Sequence, residues 1–199
     1  RPWAINFSAT AVLSRSSQRS DSGSAAFVHV DGRWYLAGVN TFNINTNYYA
    51  EFQNVTGRAQ EAYFNVNVNT TNKKNHYIGG GLQVSPFETY DFYQPRQEGR
   101  YSYNPKAYSG WFDISTNYNN PFALDTGMWY DRYNQDIRHN IGFYFSPRYR
   151  FSDKFALIYY LQHNRQNADK GWVDYDNVNN EIIYSNRDRN TIENTLTGQ

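Results

Sequence analysis

The chain alternates. Between residues 140 and 151, Ile141, Phe143, Phe145, Tyr149 and Phe151 share one parity, while Asn140, Gly142, Ser146, Arg148 and Arg150 share the other with Tyr144. Period two means strand, because successive side chains point to opposite faces. Ser152-Asp153-Lys154 is a short polar turn, and Phe155, Leu157, Tyr159 and Leu161 resume beyond it. The two runs predict a hairpin with one apolar and one polar face. Pro147 sits awkwardly in the first run, since it removes one ladder N–H.

The pattern recurs along the chain. Trp3, Ile5, Phe7, Ala9, Ala11 and Leu13 alternate, and the stretch SRSSQRSDSG then reads as a loop. A strand near 24–30 meets Asp31-Gly32, a two-residue hairpin signal. From Trp34 the even parity carries Leu36, Phe42, Ile44, Tyr48 and Phe52, opposite Asn43, Asn45, Asn47 and Glu51, as one very long strand or two colinear pieces. Further runs centre on Phe64, on Leu82, on Phe112 and on Met128. Gly79-Gly80-Gly81 lies inside a strand pattern, where a bulge or a close backbone approach is expected. Residues 87–106 are the longest irregular stretch, residues 167–180 read as another long loop, and two strands near 181–186 and 190–199 follow.

No helical period survives, so the chain is all-β. The longer connections fall at 15–23, 54–58, 87–106, 132–138 and 167–180, and the tight ones at 31–32, 71–74, 119–121 and 152–154. In an up-and-down meander these sets lie at opposite rims, as in outer-membrane barrels. The alternation gives about 10–11 strands, most of about 10–12 residues. Soluble strands run to about 5–6 residues, and a tilted membrane strand needs about 9–11. The expectation is an antiparallel up-and-down transmembrane β-barrel, apolar towards lipid and polar towards the lumen. Residues 1–199 form one barrel segment of it. Both ends lie inside alternating runs, so the segment is expected to be a fragment of a larger barrel, incomplete at each end. The alternative is a soluble β-sandwich that binds carbohydrate, which also alternates.

Composition refines this picture. Net charge is +1, which gives no field to draw nucleic acid. Aromatic residues make up 19% of the chain although its mean hydropathy is −0.85, and aromatic-rich chains are not disordered. There is no cysteine, which excludes disulfide scaffolds and cysteine zinc sites. No apolar run approaches the roughly 20 residues of a membrane helix.

Candidate chemistry is sparse. His29, His76, His139 and His163 lack metal-ligand spacing. Asp113 and Asp125 share a face on neighbouring strands, the minimal pairing for glycosidase work, but a polar lumen needs such residues anyway. Asp174, Asp176, Asn179 and Glu181 offer hard oxygens to calcium without the regularity of a loop motif. Arg148, Arg150, Arg187 and Arg189 form a candidate lumen strip, either selecting anions or pairing with acids. Tyr90, Phe92, Tyr93, Tyr101 and Tyr103 crowd the 87–106 loop, placed to stack on sugar faces or to fold over the mouth. There is no nucleophile elbow and no phosphate-binding glycine loop, so no enzyme and no cofactor are expected.

The stretches ETYDFYQPR, YSGWFDISTNYNNPFALD, SPRYRFSDKFALIYYLQ and IIYSNRDRNTIENTLTG carry a resemblance. They are similar to large outer-membrane proteins of Bacteroidota-type bacteria, which pair an N-terminal domain like family 9 carbohydrate-binding modules with a C-terminal barrel of unknown function. The resemblance covers residues 60 to 199 and is strongest over Asn186–Leu196. Where that family has a basic pair before the proline-aromatic turn, this chain has Asn119-Asn120. The resemblance implies the outer membrane of a Gram-negative bacterium as location. It implies a surface anchor or passage, linked to glycan handling through a domain absent from this chain. The partners it implies are outer-membrane lipid and other outer-membrane chains or glycans.

Overall fold

The alternating segments pair with their neighbours into one antiparallel sheet. The structure is a computed structural model describing residues 3–14, 26–30, 33–37, 39–54, 56–134 and 137–199, with side chains from residue 41 onward. The strands are β1 (Trp3–Ser14), β2 (Ala26–Val30), β3 (Arg33–Ala37), β4 (Val39–Phe52), β5 (Ala59–Asn72), β6 (Tyr77–Ser85), β7 (Thr89–Asp91), β8 (Ser102–Asn104), β9 (Ala107–Ser115), β10 (Phe122–Tyr133), β11 (His139–Ser152), β12 (Phe155–Asp176) and β13 (Glu181–Gly198). Nine of them form the main sheet in the order β1-β4-β5-β6-β9-β10-β11-β12-β13. The pairs β2–β3 and β7–β8 are separate two-stranded ribbons. No helix occurs among the described residues.

Several expectations change here. The main sheet has nine strands rather than 10 to 11, because β2 and β3 pair with each other outside it and the two strands expected near 181–186 and 190–199 are one, β13. The 15–23 loop and the Asp31-Gly32 turn lie outside the described residues. Ser14 pairs with Thr41, so the whole β1–β4 connection leaves and returns at the rim of the tight turns 73–76, 116–121 and 153–154. Long and short connections are therefore not cleanly segregated. Residues 167–180 are mostly strand: β12 runs to Asp176, and β13 is continuous from Glu181. The polar run hid this because the ladder shifts register between Gln166 and Asp169, where Ala168 has φ 52°. A bulge resets the parity on which the reading of alternation depends. No described ladder joins β1 to β13, so the sheet is open, with these two strands as its edges.

Pro147 is accommodated. It pairs with Leu124 on the β10 side, and the β11–β12 ladder is interrupted between Phe145–Leu161 and Arg148–Ile158. The missing N–H thus falls where no ladder bond is made.

The two faces are sharply different. On the apolar face Leu82, Phe112, Met128, Phe143, Ile192 and Leu196 are 43–68% exposed. Among the described residues the buried apolar side chains are alanines, Ala50, Ala62, Ala123, Ala156 and Ala168, and the one large side chain fully buried is Pro95. Among the described residues the sheet has no conventional core on either side. Its order comes from the backbone ladder and from cross-strand contacts.

On the polar face those contacts follow register. Asn43, Asn45 and Asn47 of β4 stand opposite Asn69, Asn67 and Asn65 of β5. Each β4 amide donates to its partner's carbonyl oxygen, at 2.8, 2.8 and 3.3 Å, and Asn67 donates to Asn65 at 2.9 Å. Next along the same strands, the Tyr49 and Tyr63 rings stack at 5.4 Å, and Glu51 stands opposite Glu61. Further round, large rings lie over glycines directly across the ladder: Trp111 over Gly81, Trp129 over Gly142 and Tyr144 over Gly127. A strand glycine weakens a sheet, and a ring from the next strand covers the gap it leaves.

The glycine contacts can be tested. A Cβ at Gly142 would run into the Trp129 ring, whereas one at Gly110 would meet only the mobile end of exposed Leu82 at 3.2 Å. Gly142→Ala should cost about 1–3 kcal/mol in equilibrium denaturant unfolding, as overpacking does, with Gly110→Ala close to neutral. Equal effects would mean the ring does not need the glycine.

Candidate ligand-binding site

The connection between β6 and β9 is not a bare loop. It folds back as the β7–β8 hairpin, with Tyr90 opposite Tyr103. Its rings pack on one another: Tyr90 meets Tyr101 edge-on at 5.1 Å, and Phe92 lies 5.6 Å from Tyr101. The Arg58 guanidinium sits over both Tyr90 and Tyr101, at 4.8 and 4.4 Å from their centroids. Cation–π contacts of this kind tie the hairpin to the 53–58 turn.

The far end of the hairpin reaches the long arms of β12 and β13. Gln94 donates through Nε2 to the Lys170 carbonyl at 2.9 Å and accepts from the Ser102 hydroxyl at 2.9 Å. Arg100 donates to the Asn180 carbonyl at 2.8 Å, and Arg96 lies over the Trp172 ring at 4.6 Å. The hairpin is thus a strap anchored at both ends. The Glu88 carboxylate accepts from Tyr103 and pushes that phenol up to about 12.

Between the strap and the sheet lies a cavity of about 440 Å³. Glu51 and Glu61 line it from β4 and β5, Gln83 from β6, Asp91 and Tyr93 from the strap, and Tyr133 from β10. Glu51 accepts from the Tyr49 hydroxyl at 2.9 Å. Asp91 is engaged by the backbone N–H groups of Tyr93 and Gln94, at 2.8 and 3.0 Å.

The sequence-predicted residues divide. Of the five loop rings, Tyr90, Phe92, Tyr101 and Tyr103 belong to the packed strap, while Tyr93, 71% exposed, stands at the cavity. The four arginines do not line up. Arg148 is level with Ile158 and Thr197, and Arg187 lies ten residues further along β13, roughly 33 Å at the strand rise. Arg150 donates to the Asn119 carbonyl at 2.9 Å at the tight-turn rim, and Arg187 meets Asp169 at 3.9 Å near the other. Arg189 lines a separate hollow beside His163.

The acidic set does not form a cage. Asp176 serves its own turn, accepting from the N–H groups of Val178 and Asn179 and from the Asn179 amide at 2.8, 3.3 and 2.6 Å. Asp174 accepts from the Tyr175 N–H at 2.8 Å, and Glu181 pairs with Asp176 in the ladder. Among the described residues no three acidic or histidine side chains could hold a metal ion together. The histidines are dispersed: His76 accepts from the Asn117 N–H, His139 meets Ile137 and Asn167, and His163 meets Asn190. The side chain of His29 lies outside the described residues. Asp125 is held by Ser115 and Tyr118, and Asp113 by Tyr77, so both carboxylates are tied to neighbouring side chains of the sheet and its turn.

Sequence reading missed Glu51, Gln60, Glu61 and Gln83 as a group. Each sits where alternation places it or beside a shift, but only register brings the four to one cavity.

Residues 18–199 match the domain of unknown function DUF5916. The chain belongs to this family. No curated protein and no solved structure matches it. The DUF5916 match spans every strand from β2 to β13, and with them the strap and the cavity.

Two outcomes test the strap and its neighbouring turn. Gln94→Ala removes both strap bonds, an effect of about 1–3 kcal/mol when a buried partner is orphaned. Tryptic cleavage after Arg96 or Arg100 should quicken by about tenfold, in line with a local opening cheaper by that amount. The hydrogen bonds from Asn179 and from the N–H of Val178 hold the Asp176 carboxyl below the ordinary aspartate range. Its contribution to the turn is full above the ordinary aspartate pKa and is lost as pH falls through the lowered value. Carbon NMR of Asp176 should show that low titration, and Asn179→Ala should move it upwards.

Proposed function

We propose that the chain forms part of the wall of an outer-membrane β-barrel that acts as a surface anchor or passage. One observation carries the reading: a single nine-stranded sheet turns large apolar side chains outwards on one face, with no second layer over them among the described residues. Exposed apolar area of that extent marks a surface built for a partner or for lipid. The opposite face is asparagine, glutamate, glycine and tyrosine, suited to a water-filled lumen. Strands β4, β5 and β11 have 14 residues each, enough for the about 9–11 that a tilted membrane strand needs. A soluble sandwich would need a second sheet against Phe112, Met128 and Phe143, and no described strand supplies one. The resemblance adds a Bacteroidota-type outer membrane as the location and a link to glycans through a separate carbohydrate-binding-like domain.

In this reading the open edges β1 and β13 pair with further strands, since unpaired ladder groups are not tolerated in hydrocarbon. The tight-turn rim faces the periplasm, and the strap rim faces outwards.

The full polypeptide should fractionate with outer membranes and need detergent for extraction; recovery in a soluble fraction would overturn the membrane reading. Facing gives a sharper check. Phe145 is 39% exposed on the apolar face, and Ser146 stands opposite Asp125 on the polar one. Phe145→Arg should destabilise by about 2–4 kcal/mol if it meets mid-bilayer lipid. Ser146→Arg should cost much less. The comparison is read from folding titrations in lipid vesicles, and the reverse order would exchange lumen and lipid.

A further inference from the structure

The cavity under the strap is large enough for a small ligand, at about 440 Å³. Its amide and aliphatic hydroxyl lining is Gln60, Gln83, Ser85, Thr89, Asn104 and Ser109. Amides and hydroxyls both donate and accept, which is what a sugar hydroxyl requires of its partners. Among the described residues no lysine or arginine lines the cavity, so it offers no cationic partner to a phosphate or a carboxylate ligand.

The carboxylates do not make it a cation site. Glu51 is engaged by Tyr49 and Asp91 by two backbone N–H groups. Glu61 remains as an acceptor, and among the described residues no metal cage exists. Gln60 adds a separate signal. Its Oε1 is buried and has no donor, although the residue lines the cavity. A buried acceptor without a donor is costly, and a turn of the amide towards the cavity would let an arriving O–H satisfy it. At the mouth, the Tyr93 ring is free to lie against the C–H face of a pyranose. Asn65 stands opposite Gln83, so the asparagine ladder begins at the cavity and continues it along the polar face.

We propose that this cavity binds a short neutral saccharide. Hydroxyls donate to Gln60 Oε1 and Glu61, Gln83 pairs with a hydroxyl, and Tyr93 stacks on a ring. The inference goes beyond the reading above, since it places glycan recognition in this chain itself. It does not depend on lipid at the apolar face.

Isothermal titration calorimetry on the full polypeptide in detergent tests it, with maltotetraose, cellotetraose, xylotetraose and chitotetraose as probes. Calcium, spermidine and inorganic phosphate form the opposing arms. At least one tetrasaccharide should bind, and Gln60→Leu and Gln83→Leu should each weaken it by about tenfold, the worth of a lost hydrogen bond. Glu61→Gln, which keeps an acceptor, should weaken binding less than Glu61→Leu. Tyr93→Ala alters an exposed ring that the fold does not use, so its loss of affinity cannot be ascribed to unfolding. Absence of heat with all four sugars would overturn the proposal. So would sugar binding that none of the variants changes, which would place the site in another domain. Tighter binding of calcium or spermidine at this cavity, lost in Glu61→Gln, would also overturn it, as would tighter binding of phosphate. Membrane fractionation is read separately, so either reading can fail alone.

Discussion

Everything here depends on the antiparallel backbone ladder. Among the described residues the sheet buries no large aliphatic side chain, so its strands are held by N–H···O=C bonds to their neighbours and by side chains directly across the ladder. Register is therefore the master variable. A slip of one residue would exchange the two faces, putting Asn45 and Asn67 where Ile44 and Val68 now stand. The in-register asparagine pairs resist such a slip, because each hydrogen bond exists only in the observed pairing. Ring over glycine does the same further round the sheet, since Trp129 fits only where Gly142 leaves room.

The same ladder produces the candidate site. Directly opposed glutamates are unfavourable in an isolated sheet, and Glu51 and Glu61 are opposed because the asparagines before them fix the register. The strap then closes the space above them. Its rings, read singly, look like ligand contacts, but together they form a small aromatic stack around Arg58 that holds the strap in place. Tyr93, the most exposed of them, stands beside the cavity outside that stack. Rings of the same type thus serve structure or the site according to whether a neighbour covers them.

The all-β class, the antiparallel hairpins and the apolar–polar division of β4, β5 and β9–β11 were legible from alternation, because period two follows from the covalent geometry of an extended chain. So were the tight turns at 119–121 and 152–154, where polar and proline residues interrupt the runs. The extent of β12 and β13 was not. Ala168 and the shift at Trp172–Asp174 reset the parity, and polar side chains on both faces of the arm left no period to read. The calcium candidates failed to meet for the same reason: the segment is a hairpin whose turn uses Asp176 for itself.

The sequence by itself determined which face of each strand is apolar and which is polar, since that is local and needs only the chain's own pleat. It placed consecutive strands side by side, as they are, but not their exact register or the ribbons that leave the sheet. It took β2 and β3 for members of the sheet, and it saw four arginines as a strip that the ladder spreads to opposite rims. Only the tertiary structure decided that Glu51, Glu61, Gln83 and the strap share one cavity, because their meeting rests on the register of β4, β5 and β6 and on how the β7–β8 hairpin folds back. Register is set by the sum of many cross-strand contacts, and no local pattern contains that sum.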